Sequence, residues 1–204
     1  MTTKPWDAQL AYWLVRPLKD SWVNPNHLTT LRLLTGLLAT AALAVGSADW
    51  ANIGAGLFVL SNFLDHTDGE LARLSGKSSK FGYLYDLASD TAINVLLFVG
   101  IGYGLRNSYL GDWTLLMGLV SGVSVASIFA CIFQWQNKIE QKLGKDASRP
   151  PNFAGFDIED VLYLFPLVTL LQGLVPLLIA ATIGAPAFAI WFFWKYRLLL
   201  QTEE

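Results

Sequence analysis

The chain has 204 residues, of which 53% are hydrophobic and only 15% charged. With a positive mean hydropathy it is too apolar for an ordinary soluble domain. A net charge of -2, without a basic patch interleaved with stacking aromatics, excludes a nucleic-acid footprint. The lone cysteine, Cys131, excludes an internal disulfide and reads as a small apolar group within a span.

The first 20 residues carry charges throughout and lack an apolar stretch followed by a small-residue cleavage site, so no cleaved leader is expected. Residues 5–20 place Trp6, Leu10, Trp13, Leu14 and Pro17 at helix-like intervals, with Asp7, Arg16, Lys19 and Asp20 elsewhere. This predicts an amphipathic helix lying in the membrane interface. The stretch Asn24 to Arg32 then reads as a helix start with Asn26 as its N-cap. An arginine six residues into a span is costly unless it snorkels or faces a polar interior, so Arg32 is either an anchor or part of a site.

Apolar runs near the ~20 residues that cross a bilayer occur at about 28–48, 50–64, 91–105, 112–135, 160–181 and 183–200, giving six spans. The second and third reach full length only if their helices continue through the polar segment between them. Basic residues test this count, because Lys and Arg collect on the cytoplasmic side of span ends. Thirteen of the fourteen, all except Arg106, agree with six spans and both termini in the cytoplasm. Residues 137–156 form the one long loop, basic first and then Pro150-Pro151, which stops a helix. No repeat or low-complexity segment divides the chain. The expected fold is all-α and polytopic, one domain over 1–204, with an interfacial helix at about 5–20 and a six-helix transmembrane bundle over 26–201.

Between spans two and three lie Asp65, Asp68, Asp86 and Asp90, spaced by three residues and then by four. Each pair projects from one face of a helix, and the short linker Ser75 to Lys80 makes the two helices antiparallel neighbours. Carboxylates this close repel unless something cationic sits between them. Oxygen ligands without cysteine or paired histidine favour magnesium, manganese or calcium over zinc. Two divalent ions about 3.5–4 Å apart would balance four negative charges and suit displacement at phosphorus. Gly69 and Gly82, each about 1 kcal/mol worse than alanine in a helix, suggest close approach of a ligand to the backbone. Ala72 is also small, and Arg73 is a permanent charge suited to phosphate. His27 and His66 read as interfacial polar residues, since neither has a second histidine at ligand spacing.

The run Asp65-x-x-Asp68-Gly69-x-x-Ala72-Arg73-x8-Gly82-x-x-x-Asp86-x-x-x-Asp90 resembles the full signature of the CDP-alcohol phosphatidyltransferase family, and the opening Pro25-Asn26-x-x-Thr29-x-x-Arg32 is similar to that family too. The resemblance implies six transmembrane helices, a homodimer, and transfer of a phosphoalcohol from a CDP-alcohol to a hydroxyl acceptor with release of CMP. It implies Asp65, Asp68 and Asp86 as metal ligands, with Asp90 completing the site and serving as the base that deprotonates the acceptor. Gly69, Ala72, Arg73, Ser79 and Gly82 would surround the cytidine diphosphate, with Asn26 a further candidate. The cofactor would be Mg2+ or Mn2+, as two ions. The active site would lie on the cytoplasmic face of the plasma (inner) membrane.

The substrates are less constrained. Leu87-Ala-Ser-Asp90-Thr-Ala-Ile-Asn94 departs from the Asp-Pro-x-Ala-Asp-Lys pattern typical of phosphatidylglycerophosphate synthases. A CDP-diacylglycerol donor is favoured on family grounds, in phospholipid or phospholipid-precursor synthesis. The alternative is a small soluble donor such as CDP-choline with a glycerol phosphate acceptor. Asp157, Glu159 and Asp160 serve as first-turn acids of span five, or join Phe153, Phe156 and Tyr163 in a cage for a cationic headgroup. Lys138, Lys142, Lys145 and Arg149 are positive-inside residues, or receive a phosphorylated acceptor, with Arg149 foremost. A rival of another class, a cation transporter, predicts acids near mid-span and broken helices.

Overall fold

The structure, a computed structural model, describes residues 6–143 and 162–201. The described residues form α1 (Trp6–Val15), α2 (Pro25–Val45), α3 (Ala48–Ser75), α4 (Lys80–Gly104), α5 (Trp113–Leu143), α6 (Phe165–Leu170) and α7 (Leu174–Gln201). No strand occurs among them.

Local sequence sets the ends of the helices that carry the site. Asn24, not Asn26, caps α2: its side chain accepts from the Asn26 amide at 3.4 Å, and His27 Nδ1 accepts from the Asn24 amide at 3.3 Å. Pro25 occupies the first turn, where its missing N–H costs nothing. The Asn26 side chain is thereby left for other use. Helix α3 ends at Gly76, whose φ of 67° is a left-handed turn open to glycine at no steric cost. Three residues later Ser79 caps α4 by accepting from the Gly82 amide at 2.9 Å. So short a connection makes α3 and α4 reverse direction, but they are not the packed neighbours expected: α2 packs against each of them, and its helix surface fills the space between the two.

The far ends of these helices approach almost backbone to backbone. A Cβ on Gly104 would lie 2.2 Å from the Leu43 carbonyl oxygen, and one on Gly102 would lie 2.4 Å from that of Thr114. Small residues at such crossings let helices in lipid gain contact where no hydrophobic drive exists between them. The core is Leu43, Phe58, Ile93, Leu97, Ile101, Phe165 and Leu178. Large apolar side chains such as Leu38, Val123, Ile183 and Ile190 stay exposed.

Among the described residues, four helices are long and apolar enough to cross a membrane: Pro25–Val45, Lys80–Asn107, Trp113–Ile132 and Leu174–Trp194. Helix α3 has the length, at 28 residues, with its apolar character diluted by the acids it carries. As expected, the second and third apolar runs extend through the aspartate segment. The expected break between 181 and 183 is not there, because α7 runs unbroken across it despite Pro186. The chain reverses instead at 171–173, where Gln172 has a φ of 55°. Gln172 and Gly173 mark that turn in the sequence as a polar residue and a glycine, a signal that the lengths of the apolar runs do not register. Helix α1 covers ten of the residues expected to be interfacial. It packs on α3 through Asp7, Ala11 and Val15, leaving Leu10, Trp13 and Leu14 exposed.

Candidate active site

Three helices deliver the site. Helix α3 carries Asp65 and Asp68, α4 carries Asp86 and Asp90, and α2 presents Thr29 and Arg32 from its buried face. One carboxylate oxygen each from Asp65, Asp68 and Asp86 lies within 4.8 Å of the others. Such an oxygen-only donor set fits a hard divalent cation such as Mg2+ or Mn2+. Asp90 stands outside this group of three.

The electrostatic problem of the aspartates is met in part by Arg32, whose side chain is 1% exposed. Its Nη1 lies 2.6 Å from Asp65 Oδ1 and 3.0 Å from Asp86 Oδ1. Its Nη2 bonds to Asp90 Oδ1. Arg32 is therefore part of the site and not a snorkelling anchor. Asp68 has a different partner, the Thr29 hydroxyl, which donates to its Oδ2 at 2.7 Å. The Arg32 backbone is itself held, since Ser61 Oγ donates to the Arg32 carbonyl at 3.0 Å.

A cleft of about 270 Å3 opens on one side of the cluster. It brings together all six residues expected around the nucleotide: Asn26, Gly69, Ala72, Arg73, Ser79 and Gly82. Asp68 and Asp86 also line it, as do Thr29, Lys77 and Tyr83. The glycines keep it open. A Cβ on Gly69 would meet nothing nearer than the Arg73 guanidinium at 3.6 Å, whereas one on Gly82 would come within 3.0 Å of Asn26 Oδ1. The Arg73 guanidinium pairs with the buried Glu70 at 3.0 Å. Lys77 Nζ donates to the Ser21 and Val23 carbonyls at 2.8 and 3.2 Å, tying the α3–α4 turn to the segment before α2.

A second cavity, of about 110 Å3, is lined by Asp65 and Asp90 together with Asn62, His66, Asn94 and Tyr163. Its wall is braced by Asp7 of α1, which is 2% exposed. His66 Nε2 lies 3.0 Å from Asp7 Oδ2, and the Tyr163 hydroxyl donates to the same oxygen at 3.3 Å. His66 is thus a structural partner of α1 and not a free interfacial group.

Thr29, Lys77, Asn62, Asn94 and Asp7 were not singled out by sequence as site residues. Signals for some of them existed. Thr29 and Arg32 share a helical face, Asn62 precedes Asp65 by three residues and Asn94 follows Asp90 by four. Of the other candidates, Phe153, Phe156, Asp157, Glu159, Asp160, Lys145 and Arg149 lie outside the described residues, as do the side chains of Lys138 and Lys142.

The chain belongs to the CDP-alcohol phosphatidyltransferase family, whose model matches residues 22–198. It is 38% identical over 92 residues to the CDP-diacylglycerol--glycerol-3-phosphate 3-phosphatidyltransferase of Cereibacter sphaeroides, covering 44% of this chain and 42% of that protein. It is 30% identical over 140 residues to cholinephosphotransferase 1 of Danio rerio, covering 64% and 35%. It is 32% identical over 117 residues to the archaetidylinositol phosphate synthase of Methanothermobacter thermautotrophicus, covering 57% of each. The matched region thus spans from about a third to just over half of the length of these relatives.

Proposed function

We propose that the protein is an integral-membrane, metal-dependent phosphotransferase. It moves a phosphoalcohol from a CDP-alcohol, with CDP-diacylglycerol the favoured donor, to a hydroxyl acceptor and releases CMP. The observation that carries this is the cluster of three carboxylates within 4.8 Å, at the edge of a cleft lined by the small residues and Arg73 of the family motif.

Asp65, Asp68 and Asp86 would hold the divalent cations, proposed as two. Bound there, the cations would neutralise the diphosphate and the charge that develops on departing CMP. The chain's own groups supply the rest. Gly69 and Gly82 let the diphosphate approach the helix backbones, and Arg73 adds a fixed positive charge for its oxygens. The acceptor oxygen attacks the phosphorus that bears the donor's alcohol, and the bond from that phosphorus to the CMP oxygen breaks. CMP leaves with the electron pair, and the acceptor's proton passes to Asp90. The contact with Arg32 Nη2 supports this role, since it orients the Asp90 carboxylate beside the group of three that would take the metals.

We further propose that α3 crosses the bilayer beside the four apolar helices, that residues preceding α7 make another crossing, and that α1 lies in the interface with Leu10, Trp13 and Leu14 towards lipid. Arg73, Lys77 and Lys80 flank the α3–α4 turn, which supports a cytoplasmic site under the positive-inside bias. Cation transport calls for helices broken near mid-membrane, whereas α2, α3 and α4 are continuous.

The test is turnover of purified protein with labelled CDP-diacylglycerol, CDP-choline and CDP-ethanolamine against a panel of acceptors, with and without magnesium. Metal-dependent CMP release is expected. CMP release indifferent to metal, or cation flux without CMP from any donor, would overturn the proposal.

A further inference from the structure

Helix α1 carries a buried acid that the proposed chemistry does not use. Asp7, Ala11 and Val15 recur every fourth residue, so they share the face that α1 lays on α3, and all three are buried. Ala11 and Val15 seat the helix by apolar contact. A carboxylate in such a place loses its hydration, and with its partners it often adds no more stability than apolar side chains of similar volume would. Stability therefore gives little reason for Asp7, and its partners show another.

Both oxygens of the Asp7 carboxylate are engaged. Oδ1 accepts from the Ala8 amide at 2.7 Å. Oδ2 lies 3.0 Å from His66 Nε2 and accepts from the Tyr163 hydroxyl at 3.3 Å. His66 and Tyr163 line the second cavity together with Asp65 and Asp90, and His66 directly follows Asp65 in α3. One oxygen of α1 thus holds two side chains of the cavity that two of the four aspartates share. An imidazole carries an N–H that a carboxylate readily accepts. Released from Asp7, the His66 ring would have Asp65 and Asp90 as acceptors in its own cavity. A hydrogen bond to either would occupy an oxygen needed for metal or for the acceptor's proton.

We propose that Asp7 is a positioning residue of the active site: it holds His66 and Tyr163 in the cavity wall and keeps the imidazole off Asp65 and Asp90. The inference rests on the phosphotransferase proposal. It makes α1 a working part of the catalytic unit through one face, while Leu10, Trp13 and Leu14 stay exposed on the other.

The test uses the full chain in nanodiscs with Mg2+ and the donor and acceptor pair that releases CMP fastest in the panel above. Asp7→Asn should lower kcat by about tenfold to 100-fold, the scale on which a distant change that misplaces site groups acts. Donor KM should stay within about twofold of wild type, because no described residue of α1 lines the nucleotide cleft. Adding His66→Leu to Asp7→Asn should restore kcat at least about fivefold over the single variant, since the competing N–H is then gone. A brace that served stability alone would not give that recovery, because removing a second member of a brace does not mend it. An unchanged kcat in Asp7→Asn overturns the inference and leaves the phosphotransferase proposal standing, as does a loss that His66→Leu fails to relieve. Should Asp7→Asn not fold, Tyr163→Phe removes only the hydroxyl from the same contact and should lower kcat about threefold or more with an unchanged Tm; wild-type kcat in that variant overturns the inference. No CMP from the wild type with any donor overturns both.

Discussion

Arg32→Gln keeps much of the side-chain length and removes the charge that holds three carboxylates together. The guanidinium is 1% exposed and touches Asp65, Asp86 and Asp90. Breaking a buried ion pair on one side costs about 3–5 kcal/mol. The repulsion released is of the same order, ~4 kcal/mol for two unit charges at ~4 Å and an effective dielectric of ~20. At about 2–4 °C per kcal/mol for a chain of this size, the metal-free variant should melt about 6–20 °C below wild type in EDTA. Magnesium should respond in the opposite direction. Arg32 and a divalent cation compete for Asp65 and Asp86, so the variant should bind Mg2+ at least tenfold more tightly, about 1.4 kcal/mol. Thermal melting in EDTA and across a Mg2+ titration, with calorimetric binding in detergent, reads both effects. A variant that binds Mg2+ more weakly would refute the competition and make Arg32 an organiser of the metal ligands.

Asp90→Asn should bind CDP as wild type does and lose about 100- to 10,000-fold in kcat, the usual worth of a positioned general base. Lost CDP affinity in calorimetry would instead make Asp90 chiefly a metal ligand. Gly69→Ala should raise Tm by about 2–4 °C, from a helix gain of about 1 kcal/mol, because the added methyl meets nothing nearer than 3.6 Å. The same methyl narrows the cleft, so donor KM should rise tenfold or more, and an unchanged KM would remove Gly69 from the nucleotide site. Gly104→Ala should do the reverse. Its Cβ would lie 2.2 Å from the Leu43 carbonyl oxygen, so overpacking should cost about 1–3 kcal/mol and lower Tm, with donor KM in the folded fraction little changed.

The legible parts of this site are those that local periodicity can express. Asp65 with Asp68, and Asp86 with Asp90, share helix faces by spacing alone, and the short Ser75–Lys80 linker returns the chain so that both pairs reach the same end of α2, which packs against each helix. The residues expected around the nucleotide then fall along one cleft. Arg32 stayed ambiguous because an arginine near a helix start has the same local pattern whether it snorkels or turns inward. Only the packing of α2 between α3 and α4 decides it. Asn62 and Asn94 extend the aspartate registers by three and four residues, so their faces were readable, but nothing in the sequence says that a cavity lies there. Asp7 was beyond reach, since its partners His66 and Tyr163 are 59 and 156 residues away. The misplaced break near 182 has another cause: one Gln172-Gly173 pair is a small interruption in a long apolar stretch, yet it is there, at the positive φ of Gln172, that the chain turns.

The spacing of the aspartates also accounts for how they divide. At 3.6 residues per turn, three residues step about 60° short of a full turn and four step about 40° past it. Each pair therefore stays on one broad face of its helix while its two carboxylates fan apart. Helix α3 gives Asp68 to the larger cleft and Asp65 to the second cavity; α4 gives Asp86 to the cleft and Asp90 to the cavity. Displacement at phosphorus needs the entering and leaving oxygens on opposite sides of the reacting centre. A cluster with one acid from each helix on either side offers that arrangement in the backbone geometry itself. Spacings of seven residues would return both acids of a pair to nearly the same direction and crowd all four onto a single space. The bridge from Arg32 to Asp65, Asp86 and Asp90 crosses the boundary between the two spaces, so a cation entering from the cleft would change the electrostatics around Asp90, the proposed base, on the other side.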